Sequence, residues 1–171
     1  MRKLMAAIVT LAGLAALPGT AFAQNTFNGV CTFAGTAHLS PPAALLSKPG
    51  TFVFTTDGST RNHCTGKLNG VTISNAYSWA SASGTGNLGC IESKGTGSGT
   101  IYVNGAPIQF TLTIVGTGPQ VTLDVKGNGG GVATGQASFA TDSTAAGDCK
   151  DKNAGDLTFL IAAGAALLKG N

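Results

Sequence analysis

Charged side chains are scarce in this sequence: Asp, Glu, Lys and Arg make up 10% of its 171 residues, and Glu92 is the sole glutamate. No Lys/Arg cluster is interleaved with aromatics, so the electrostatic footprint of a nucleic-acid binder is missing and nucleic acid is not expected as a partner. A glycosidase needs two carboxyls flanking its bond, and although Asp57, Asp124 or Asp142 could partner Glu92, no spacing singles out a pair. Only two histidines exist, His38 and His63, and there is no G-x-S-x-G elbow. A hydrolase would therefore rest on His63 with a nearby acid such as Asp57, or on His38. The four cysteines include no C-x-x-C pair, which excludes the closely spaced ligands of usual zinc sites. The glycine tracts at 95–99 and 127–131 lack the lysine and following helix of a phosphate-cradling loop, and read as turns and thin strands. No metal and no cofactor is expected.

The longest apolar run lies at the start. Arg2 and Lys3 precede the almost wholly apolar stretch Leu4 to Leu17, Pro18-Gly19 breaks it, and Ala21-Phe22-Ala23 matches the small-x-small pattern of signal-peptidase cleavage. The expectation is a secretory signal peptide over residues 1–23, and a single domain over 24–171 with no membrane span in the mature chain. That domain has 171 − 23 = 148 residues, enough for a real core. Removing Arg2 and Lys3 leaves eight bases against seven acids, a net charge near +1. An apolar content of 43% is too high for a disordered chain.

What the sequence has in abundance is alternation. Gly99 to Val115 reads as two strands joined at Asn104-Gly105, with Ile101, Val103, Ile108, Phe110, Leu112 and Ile114 on one face. Thr100, Tyr102, Gln109, Thr111 and Thr113 take the other. Further rows follow the same rule: Cys31, Phe33, Ala37 and Leu39; Phe52 and Phe54; Val121, Leu123 and Val125; Leu157, Phe159 and Ile161. Pro41-Pro42 is expected to stop the first strand, Ala43 to Lys48 and Ser143 to Cys149 to form short helical turns, and the residues after Ile161 to form a small-residue tail. Eight to ten strands with turns at roughly ten-residue intervals predict an all-β, antiparallel β-sandwich, Ig-like or jelly-roll-like; a small β-barrel is the alternative.

Cys31, Cys64, Cys90 and Cys149 are an even count in an exported chain, so two disulfides are expected. Pairing Cys31 with Cys64 and Cys90 with Cys149 closes one loop at each end of the chain, although three connectivities exist. Asp148, Asp151 and Asp156, with Asn153, crowd one loop whose oxygens could hold calcium, but Gly155 breaks the loop pattern and Lys150 and Lys152 oppose a cation. Tyr77, Trp79 and Tyr102 could form a sugar-stacking platform if exposed, but Tyr77 and Trp79 share the parity of Val71 and Ile73, which favours the core for both. Tyr102 and His63 remain as ligand-facing candidates.

The C-T-F-A-G-T start at Cys31, P-G-T-F-V-F at Pro49, C-T-G at Cys64, G-T-G-S-G-T at Gly95 and the G-T-G-P end at Gly116 resemble small secreted bacterial Gly/Thr-rich β-sandwich proteins with paired cysteines. The resemblance brings no catalytic residues. The expected role is a secreted, non-catalytic binding or structural module of the cell envelope or exterior, with a cell-surface glycan or protein as partner. The alternatives are a secreted hydrolase using His63 and a nearby Asp, or a carrier of a small ligand or carbohydrate.

Overall fold

The alternating segments become nine antiparallel strands in the computed structural model, which describes residues 24–117, 120–139 and 154–170. They are β1 (Thr26–Ala43), β2 (Lys48–Thr56), β3 (His63–Leu68), β4 (Val71–Leu88), β5 (Glu92–Val103), β6 (Ala106–Thr117), β7 (Gln120–Gly127), β8 (Gly130–Phe139) and β9 (Ala154–Lys169). Two links are Asn-Gly turns with left-handed backbone at both residues: Asn69 and Gly70 (φ 51° and 81°), and Asn104 and Gly105 (φ 49° and 82°). That geometry matches the twist of the flanking strands, and Asn and Gly tolerate it best.

The sheet closes on itself. From β3 to β9 each strand pairs with the next, and β9 then pairs with β1 from Thr26↔Lys169 to Ala43↔Ala154. β1 meets β3 along its first half and β2 along its second, and β4 does the same. β2 and β3 thus share one position between β1 and β4, and the result is a closed eight-strand antiparallel barrel. This corrects the sandwich expectation in favour of the barrel alternative. Inward apolar and outward polar alternation is common to both architectures. What separates them is whether the first and last strands join, and local pattern carries no information about that pairing.

Three local expectations are also corrected. β1 continues past Pro41-Pro42 to Ala43, the prolines falling in the irregular stretch between the pairs His38↔Asp156 and Ala43↔Ala154, where no ladder donor is required. Ala43 to Lys48 is a strand end, a bridge and a bend rather than a helical turn. The small-residue tail is the second half of β9, paired on both sides, with Leu168 only 2% exposed. Residues 1–23 and 143–149, with their signal-peptide and helical-turn readings, lie outside the described residues.

The barrel interior is apolar. One cluster gathers Phe27, Cys31, Phe33, Cys64, Val103, Ile108 and Leu168 among others, and a second gathers Leu39, Phe52, Leu88, Phe110, Leu112 and Leu157. Phe54 and Phe159 touch both and meet edge to face at 6.2 Å. Burial of each full-sized aliphatic or aromatic side chain contributes about 1.5–3 kcal/mol. The run Gly95-Thr96-Gly97-Ser98-Gly99 has a packing reason: a Cβ on Gly97 would lie 2.9 Å from the Phe52 ring, and one on Gly99 2.7 Å from Phe110. The wall is thin there so that two phenyl rings can lie against it. Cys31 and Cys64 face each other in register on β1 and β3 and form a disulfide, as the loop-closing pairing anticipates. Cys90 is also disulfide-bonded, whereas Cys149 lies outside the described residues.

Candidate functional site

On the outer face, the sequence places Thr, Ser and Gln at alternate positions, and the register stacks them in rungs. Thr55, Ser81, Thr100 and Gln109 form one rung across β2, β4, β5 and β6; Val53, Ser83, Ser98 and Thr111 form the next; Thr51, Thr85, Thr96 and Thr113 form a third. An open groove of about 520 Å³ runs over this face. Val53, Ser81, Ser83, Ser98, Thr100, Gln109 and Asn128 line it, and Ala82, Gly99 and Phe110 complete the lining where the wall is thinnest. Asn128 Nδ2 donates to Gln109 Oε1 at 3.5 Å, which sets two side-chain amides side by side.

One rung beyond Ser81 and Thr100 stand Trp79 and Tyr102, paired across β4 and β5. Their rings are stacked, with centroids 3.7 Å apart and planes 11° from parallel. Trp79 is 37% exposed and Tyr77 53%. Both therefore lie outside the barrel, a correction to the core assignment. The cause is a β-bulge: Cys64 pairs with Ala76 and Gly66 with Ile73, so Ser74 and Asn75 together oppose Thr65. Asn75 adopts left-handed φ of 50°, and its N–H donates to Thr65 Oγ1 at 3.0 Å. One extra residue reverses the facing of everything after it. Ile73 is half-buried before the bulge, whereas Ser78 and Ala80 face inward after it. The same reversal separates the segments after the two Asn-Gly turns: Leu112 is buried, but Tyr77, its counterpart at the same offset, is exposed.

Of the two ligand-facing candidates, Tyr102 is thus half of an aromatic pair, and His63 opens β3 opposite Tyr77. The His63 ring lies 3.2 Å (Nδ1) and 3.3 Å (Nε2) from Thr32 Oγ1. That hydroxyl also donates to Arg61 O at 2.8 Å. The acid at hand is otherwise engaged. Asp57 Oδ1 accepts from Ser59 N at 2.9 Å and from Asn62 Nδ2 at 3.0 Å, and Arg61 lies 3.8 Å from Oδ2. Ser59 chiefly, with help from Asn62 and Arg61, holds the Asp57 carboxyl below its ordinary value.

The segment between β2 and β3 has a structural task that its polar sequence did not reveal. Where β1 leaves β3 and has not yet met β2, Ala34 O accepts from Asp57 N at 3.0 Å and Ala34 N donates to Asn62 Oδ1 at 2.6 Å. Asn62 is fully buried and its carbonyl accepts from Ser78 N. Of the calcium-loop acids, Asp156 bonds His38 Nδ1 at 2.7 Å, and Asp148 and Asp151 lie outside the described residues. Glu92 is paired with Lys94 at 2.6 Å, which holds its carboxyl below the usual range. Among the described residues no cluster of three or more His, Cys, Asp or Glu is placed to hold a metal.

No known protein family, characterised protein or solved structure matches this chain.

Proposed function

We propose that this chain is an exported, non-catalytic binding module that takes carbohydrate on the outer face of its barrel. The observation that carries the reading is the stacked, outward Trp79–Tyr102 pair with Tyr77 beside it, one rung along the sheet from a groove of hydroxyl and amide side chains. Sugars present both kinds of surface. Their C–H faces lie against aromatic rings, and their hydroxyls exchange hydrogen bonds with Ser, Thr, Asn and Gln. A large aromatic surface held in water is otherwise a cost to a monomeric protein and marks an interaction site.

Export is supported by the N-terminal signal pattern and by the disulfide, which persists in oxidising compartments. A non-catalytic role is supported by the engagement of His63 and Asp57 in separate hydrogen bonds. Among the described residues no helix is long and apolar enough to cross a membrane.

The test is affinity electrophoresis and calorimetric titration against a panel of soluble polysaccharides. Trp79→Ala is expected to weaken binding by about tenfold or more, a loss of about 1.4 kcal/mol or more, with the melting temperature little changed because the side chain is on the surface. Equal binding by Trp79→Ala, or binding to none of the panel, overturns the reading.

A further inference from the structure

Resting on that reading, we infer that the ligand is a neutral, linear polysaccharide gripped along its length, lying parallel to β4 and β5 from the Trp79–Tyr102 pair to Ser83 and Ser98. Three features of the groove carry this.

The first is its shape. The site is an open channel on the sheet surface with Ser81–Thr100 and Ser83–Ser98 among its rungs, and the Trp79–Tyr102 pair stands one rung beyond it along the same two strands. Four residues of strand separate Trp79 from Ser83, a span of about 13 Å. One pyranose ring is shorter than that, so several sugar units are engaged together. A channel that is not a closed pocket gives no reason to select a chain end.

The second is charge. No ionisable side chain lines the groove. One strand beyond the groove's β6 edge stand Lys126, opposite Thr111, and Asp124, opposite Thr113, one of each sign, and one strand beyond its β2 edge stands His38, opposite Val53 and paired with Asp156. Lys94 is neutralised by Glu92. Such a surface has no field with which to attract a polyanion, and binding an anionic sugar would place its carboxylate beside hydroxyls alone.

The third is the donor and acceptor pattern. The hydroxyls of Ser81, Ser83, Ser98 and Thr100 repeat at the strand spacing, a periodic array facing what would be a periodic ligand. At one wall the Asn128–Gln109 contact uses the Asn128 NH₂ and the Gln109 carbonyl. That contact does not use the Gln109 NH₂ or the Asn128 carbonyl, a donor and an acceptor of the kinds that sugar hydroxyls pair with.

Titration with neutral gluco-oligosaccharides, from the monosaccharide to the hexasaccharide, tests this, with oligogalacturonate of matched length as the charged control. Affinity is expected to rise about tenfold or more with length, the equivalent of about 1.4 kcal/mol, and to be weaker for the galacturonate series. Ser98→Leu, which fills the groove while leaving Trp79 and Tyr102 in place, is expected to flatten the length dependence; Ser83→Leu serves the same end should the first variant fold poorly. Trp79→Ala is expected to weaken binding at every length by about tenfold or more. If Trp79→Ala weakens binding in this way but both leucine variants keep the full length dependence, the extended groove is wrong and the aromatic site stands. Preference for the galacturonate series overturns the neutral ligand. If no saccharide binds at all, both this inference and the reading beneath it fall.

Discussion

Asn62 offers the sharpest test of how the barrel wall is held together. Replacing it with Ala removes the oxygen that accepts from the Ala34 N–H at 2.6 Å, in a place where Ala34 is 2% exposed and water cannot substitute. A buried donor left without an acceptor costs about 1–3 kcal/mol. The Nδ2 donation to Asp57 is lost as well, but Asp57 is partly exposed and water replaces much of it, so about 0.5–1 kcal/mol is the appropriate addition. The total of about 1.5–4 kcal/mol is a large share of the roughly 5–15 kcal/mol typical of a domain, and corresponds to a melting temperature about 3–16 °C lower at this chain length. Urea unfolding of the oxidised protein, with a parallel thermal scan, reads both. A loss below about 0.5 kcal/mol would mean that the segment between β2 and β3 is a passive loop, and the role assigned to it would be refuted.

Two further outcomes follow from the same region and its neighbour. The folded-state carboxyl of Asp57 is lowered, so it contributes stability above the ordinary carboxylate value of 3.8, and that contribution fades as pH falls through the lowered one. The melting-temperature gap between the native chain and Asp57→Asn should accordingly shrink from about pH 6 to about pH 3; a gap of constant size would show that the charge is not what matters. Removing the Cys31–Cys64 bond by paired Ala substitutions frees a 33-residue loop, for which the chain-entropy relation gives about 3.7 kcal/mol, or about 10 °C in melting temperature. Scanning calorimetry measures it, and an unaltered transition would mean that the unfolded chain is already restrained without the bond.

How much of this was legible depended on distance along the chain. The hairpin from Gly99 to Val115 is correct residue by residue, because its facing pattern and its Asn-Gly turn are both written within a few residues. The inward rows at Cys31, Phe52, Val121 and Leu157 are correct for the same reason. The aromatic site was missed because two-residue periodicity was carried through Asn75 without a break. A bulge costs one residue and leaves only an Asn after a Ser as its trace, yet it moves Tyr77 and Trp79 from inside to outside. The exposed alternative was visible in one respect: Tyr77 and Trp79 lie immediately downstream of the only irregularity in their strand. Closure and the place of Asn62 were not legible at all, since each depends on segments brought together from far apart, β9 with β1 and the 57–62 segment with Ala34.

The seam between β1 and β9 sets a condition on biogenesis. Every other ladder joins strands that are consecutive or one strand apart in the chain, but β1 must wait for β9, and until it arrives both flanks of the growing sheet show bare N–H and C=O groups to any passing strand. A chain that is threaded across a membrane before it folds would reach that vulnerable half-built stage only on the far side, where the Cys31–Cys64 bond can already tether the first strand while the final one is still arriving.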